Sequence, residues 1–134
     1  QPLLPNLLFI YATREAVISI IKKKEDESSV LKFYLDKTKP LEGNGKHPPL
    51  IIPFAAMTNF IKATSTDSEH VRIVSAEQCH YKSGDIVKVI GGEFEGVIGK
   101  VARVAGQQRV VVEISGLCLV ATAYIPTDFI KLVK

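Results

Sequence analysis

Apolar residues recur along this chain in two different rhythms, and the change from one to the other comes after about residue 64. In the first stretch, LLFIYA at 7–12 is a continuous apolar run of strand length, preceded by Pro5 and Asn6. Thr13 then stands as a helix N-cap, and TREAVISIIKKK sets Val17, Ile20 and Ile21 on one face at helical spacing. Three lysines at its end complement the negative end of a helix dipole. SVLKFYLD at 29–36 alternates as a strand does, with Leu31, Phe33 and Leu35 on the side expected to be buried. KTKPLEGNGKHPP at 37–49 reads as a surface loop, the least ordered part of this half. A short LII follows, and Pro53 opens a second helix in which Phe54, Met57 and Ile61 recur at i, i+3 and i+7. The predicted order is strand, helix, strand, strand, helix.

Residues 65–83 are mostly polar around one apolar island, Val71 to Val74, and read as a linker that pins itself to a neighbouring sheet edge. Beyond it the period becomes two. Short β-rich runs at about 86–90, 97–104, 109–114, 117–124 and 129–133 are separated by glycines, Gln107-Gln108 and Pro126-Thr127-Asp128, which predicts a small closed barrel of five strands. Within it, GDIVKVIGGEFEGVIGKVARV carries glycine at 91, 92, 96 and 99. Glycine weakens a strand unless the chain must turn or be closely approached there. Gly91-Gly92 is expected to reverse the chain and Gly96 to permit a tight return. Gly99 is expected to leave room for a crossing strand, with Phe94, Val97 and Val101 plugging the barrel.

Composition adds limits to this picture. At 134 residues the chain is long enough for one ordinary domain or two small ones, and two are expected. Hydrophobic residues at 46% and charged residues at 23% exclude a wholly disordered chain. No apolar run approaches the roughly 20 residues that span a bilayer, and LLPNLLFIYA lacks the basic leader and cleavage site of a signal peptide, so a cytoplasmic protein with no membrane contact is expected. Residues 1–64 hold nine Lys/Arg against six Asp/Glu, and 84–134 hold six against five. That balance argues against tight, charge-driven binding of nucleic acid, while Lys100, Arg103 and Arg109 remain available for weak contact.

Catalytic and metal chemistry find little support. Cys79 and Cys118 lie far apart, and a zinc site would have to recruit Cys79, His80, His70 or His47 at irregular spacing. No phosphate loop appears, and no nucleophile is flanked by a base and an orienting partner, so neither an enzyme nor a cofactor is expected.

The order of hydrophobic strand, GG turn and Phe94-x-Gly96-x-x-Gly99-x-Val101 resembles the KOW motif of small SH3-like barrels in transcription and ribosomal proteins. LLPNLLFIYATREAV, followed in order by SVLKFYL, LIIP and AMTNFIK, resembles the N-terminal (NGN) domain of NusG-type factors, in which a proline-asparagine turn launches a central strand. Together these identify the chain as similar to the NusG superfamily, closest to the UpxY family of capsular-polysaccharide operon antiterminators. The resemblance implies an α+β chain: an NGN-type α/β sandwich over 1–64, lacking its first strand and helix, a linker over 65–83, and a five-stranded SH3-like KOW barrel over 84–134. The missing opening implies an uncovered sheet edge that favours pairing with a second copy.

The resemblance also implies function: a non-catalytic elongation and antitermination regulator whose N-terminal domain binds the clamp helices of RNA polymerase. Leu4, Pro5, Leu7 and Phe9 stand where family members present the clamp-binding turn and strand, with Val30, Leu31 and Phe33 on the neighbouring strand. Leu7 replaces the usual aromatic, which implies a shallower pocket. For Phe9 and Phe33 the competing reading is plain core packing. The KOW barrel implies a protein partner, such as a ribosomal protein or a termination factor, and nascent RNA or non-template DNA as secondary contacts. SGLCLVATAYIP at 115–126 reads as barrel core before partner surface. The competing function is an RNA-binding KOW protein of ribosomal type, which would call for a basic barrel with exposed aromatics.

Overall fold

The computed structural model describes residue 4 and residues 7–25, 32–66 and 69–133. It is α+β, with two helices and one six-stranded antiparallel sheet among the described residues. The chain divides into two compact units, Gln1–Leu50 and Ile51–Lys134.

In the first unit α1 (Arg14–Glu25) starts where the sequence pattern sets it. Thr13 caps it: its Oγ1 accepts the Ala16 N–H at 3.2 Å and its carbonyl the Val17 N–H at 3.1 Å. The strand expected at 7–12 does not form, and the one expected at 29–36 is reduced, over its described residues, to a single bridge between Leu35 and Pro49. An apolar run becomes a strand only where a partner completes its ladder, and none is present for 7–12 among the described residues.

The 37–49 loop is better tied than its composition suggests. Asp36, 5% exposed, accepts the Thr38 N–H and hydroxyl, and this hydrogen bonding with Thr38 holds its carboxyl below the usual carboxylate range. Backbone bonds from Asp36 N–H to Pro48 C=O and from Leu50 N–H to Tyr34 C=O, both 2.7 Å, close the loop's base.

The second unit holds α2 (Phe54–Thr64) and strands β1 (Arg72–Val74), β2 (His80–Val89), β3 (Ile98–Val104), β4 (Gln107–Ile114), β5 (Cys118–Ala121) and β6 (Ile130–Leu132). Their order in the sheet is β1-β5-β4-β3-β2-β6. The sheet is open, with six strands, which corrects the expected closed barrel of five. The apolar island at 71–74 does pin itself to an edge, as β1 on β5, and that edge is then occupied and cannot close onto β6.

β4 shows why this sheet buries both faces. Val110 and Val112 point into a core with Val87, Val89, Phe94, Val97, Ile125 and Ala63 of α2. Val111 points the other way, into a second cluster with Val74, Cys79, Ala102, Val104 and Ala121. The segment 75–79, which leads from β1 to β2, covers that second face, and Ala102 and Ala121 are small enough to admit it. β2 therefore begins inside what the sequence marks as linker. Its first residues, His80 and Tyr81, pair with Arg103 and Ala102. The register then shifts before Ile86, in a bulge where Gly84 has φ +78°.

α2 belongs with this sheet and not, as its sequence position suggests, with the front half. Phe60 and Ala63 are buried, and Asn59 reaches β3 with both ends of its amide. Its Oδ1 accepts the Ile98 N–H at 2.7 Å, while its Nδ2 donates to the Ile98 carbonyl. A side chain thus does for the start of β3 what a neighbouring strand would do.

Candidate functional site

Four of the seven residues expected to form a polymerase-binding pocket fall among the described residues. Leu4, Leu7 and Phe33 are half-buried, and Phe9 is 38% exposed. Pro5, Val30 and Leu31 lie outside the described residues. Around Phe9 the chain keeps Leu8, Ile10 and Tyr11 exposed as well, Tyr11 at 92%, so residues 8–11 present an apolar run on the way into α1. No ladder joins this run to 32–36 among the described residues.

In the second unit the glycine-rich motif is built around one ring and one crossing. After Ile90 the chain turns through Gly91 and Gly92, and an added Cβ on either would meet the Phe129 ring, at 3.1 Å and 3.3 Å. The Gly96 N–H then donates to Val89 C=O at 2.8 Å, and the Val89 N–H to Val97 C=O at 2.9 Å, closing the return. Gly96 adopts φ +93°, which a side chain would strain. Phe94 is buried in the core and Val101 packs against it. At Gly99 the constraint is space: an added Cβ would overlap the carbonyl oxygen of Val111 and stand 2.9 Å from Val110 Cγ1.

Of SGLCLVATAYIP, Val120, Ala121, Thr122 and Ile125 are buried and Tyr124 is exposed. Thr122 Oγ1 accepts the Val110 N–H at 3.1 Å, extending the contact between β4 and the end of β5.

Arg109 is where sequence reasoning went furthest astray. Counted as an available cation, it is 2% exposed. Its guanidinium donates to the carbonyls of His70 at 2.9 Å and Thr122 at 3.1 Å and to Gln107 Oε1 at 3.0 Å, while its Nε has no partner among the described residues. Burial, with Arg72 nearby, lowers its pKa. The side chain ties the entry to β1 onto β4 and β5, and only its place directly before the valines 110–112 of β4 hints at this in the sequence.

Lys100 stands over the Tyr81 ring, 5.8 Å from its centre. Tyr81 packs beside Cys79, and burial raises the pKa of both. Such a thiol stays protonated and unreactive at neutral pH. An open depression at the β3–β4 turn is lined by Arg103, Gly106, Gln107, Gln108, Tyr124 and Thr127. Its polar groups are largely engaged, Arg103 Nη1 with Gly106 C=O at 2.9 Å and Gln108 Nε2 with Ile125 C=O at 3.0 Å.

Among the described residues no three His, Cys, Asp or Glu side chains are grouped to hold a metal, and no helix is long and apolar enough to cross a membrane. No family model, no curated protein and no solved structure matches this chain.

Proposed function

We propose that this chain is a non-catalytic transcription elongation and antitermination regulator of the NusG type, acting in the cytoplasm and binding RNA polymerase through its front segment. In this reading residues 84–134 are a KOW-like module and the front segment is an NGN-like domain. The observation that carries it is the strand order β5-β4-β3-β2-β6 with a 3-10 turn, Thr127–Phe129, leading into the last strand. That order is combined with a glycine motif whose members each meet a steric or dihedral demand at the β2–β3 return and the β3–β4 crossing. The exposed apolar run at 8–11 supplies the kind of anchor that binds a helical surface with little dependence on salt. A ribosomal protein or termination factor would be the partner of the KOW-like module, with nascent RNA or non-template DNA as secondary contacts.

The RNA-binding alternative loses one of its cations, because the Arg109 guanidinium is buried. The test is binding of the chain to the isolated clamp-helix segment of RNA polymerase at two salt concentrations, with Phe9→Ala and Phe33→Ala beside it. Salt-tolerant binding that falls at least about tenfold in folded variants is expected, as for loss of an aromatic anchor. Absence of clamp binding, with RNA retained in a steeply salt-dependent way, would replace this reading with the RNA-binding one.

A further inference from the structure

β6 ends the sheet, and its outer edge has no strand beside it among the described residues. The register shows which groups that edge offers. The Ile90 N–H donates to Phe129 C=O at 2.8 Å and the Val133 N–H to Ile86 C=O at 2.9 Å. The alternation of an antiparallel ladder therefore makes Lys88 and Lys131 a hydrogen-bonded pair as well, with both backbone groups of Lys131 turned toward β2. Leu132 turns its N–H and C=O outward, as Ile130 does its C=O, while the Ile130 N–H is taken by Thr127 C=O. Three backbone groups are thus set to receive one short added strand.

The side chains along the edge select what could add. Lys131 lies directly opposite Lys88, both exposed, and like charges so placed weaken a ladder. Lys100, opposite Ile86, extends the same face one strand further. Among the described residues neither Lys88 nor Lys131 is paired with a carboxylate. On the other face of the edge Ile130 packs on the core and Leu132 is 50% exposed.

An edge lysine by itself serves to block unwanted pairing. Antiparallel pairing with a second copy centred on Lys131 would set Lys131 against Lys131, so the edge disfavours its own copy in that register. That accounts for Lys131 and leaves the opposing Lys88 without a reason, since the pair costs stability and gains nothing inside the chain.

We propose that the β6 edge takes an extended acidic peptide segment of a partner protein as an added strand. The peptide backbone bonds Leu132 and Ile130, a carboxylate sits opposite Lys131 within the field of Lys88, and an apolar side chain lies beside Leu132. This inference does not rest on the polymerase reading and stands or falls apart from it.

The test uses the full chain and short labelled peptides of alternating Glu and Val, and of alternating Lys and Val, followed by fluorescence anisotropy and by amide NMR. The Glu-Val peptide is expected to bind, to shift the amides of 130–133 and to slow exchange at Leu132. Lys131→Glu is expected to weaken that binding about tenfold while raising Tm, because the new carboxylate faces Lys88 and relieves the like-charge pair. The same variant should gain affinity for the Lys-Val peptide. Leu132→Pro removes an outward N–H without touching the bonds to β2, and should weaken the Glu-Val peptide as well. No binding at millimolar peptide, amide shifts confined to other strands or loops, or binding indifferent to Lys131→Glu would overturn the proposal. So would a short oligouridylate that displaces the peptide from the same amides, which would make the occupant a nucleic acid.

Discussion

α1 and α2 differ by one residue in length, and both carry apolar residues at helical spacing, yet they are held in different ways. α1 has a side-chain cap at Thr13, and none of its described side chains is buried. α2 has no side-chain cap hydrogen bond at its start, but it buries Phe60 and Ala63 and fastens Asn59 to Ile98. A short helix is marginal by itself in water, so one of these depends on its own first turn and the other on the sheet beneath it. Spacing alone signals a helix in both cases and says nothing about which of them has a partner.

The largest break in that contrast comes from the sheet side. Gly99→Ala should destabilise the 51–134 unit by about 3 kcal/mol, because the methyl group overlaps backbone and not a movable side chain. Urea denaturation should show a lower midpoint at unchanged slope. Asn59→Ala should cost about 2 kcal/mol, since it removes both amide hydrogen bonds from α2 to the Ile98 backbone and leaves those groups without that partner. The expected signature is faster amide exchange in α2 and at Ile98. Thr13→Ala should cost about 1 kcal/mol, read as loss of helical amide protection in α1, because there the cap is a main support.

The smallest effect has the opposite sign. β3 and β4 are joined by the two-residue turn Ala105-Gly106, with φ +52° and +77°, the positive pair that a type I′ hairpin needs. Ala105 is the one non-glycine residue at positive φ among the described residues. Ala105→Gly should therefore stabilise the hairpin by about 0.5 kcal/mol, the strain relieved exceeding the entropy lost, and should raise Tm without altering the strand register. A fall in Tm would mean that the alanine is not strained.

Much of the second unit was legible in the sequence for a local reason. Strands alternate with period two, and turns demand particular residues, so β3, β4 and β6 fall within one or two residues of the runs that predict them, and β5 ends three residues before its run does. The glycine-rich motif was legible for the same reason, since a glycine that interrupts a β-rich run marks either a turn or a close approach. The front half was less so. LLFIYA has the composition of a buried strand, but strand formation is a property of a pair, and the described residues offer this run no ladder. Of the residues expected to make a binding pocket, the sequence supplied chemical type alone. Exposure of Phe9 beside Leu8, Ile10 and Tyr11 came from the fold.

What the sequence determined by itself was therefore the inventory: two helices with their starts at Thr13 and Pro53, the late strands, and the points where only glycine would serve. The tertiary structure decided the partnerships. It gave α2 to the sheet, turned an apolar island in a linker into β1, kept the sheet open, and took Arg109 off the surface. It also set Lys131 opposite Lys88. Each of these joins residues far apart in the chain, and periodicity records which way a side chain faces without recording what it faces.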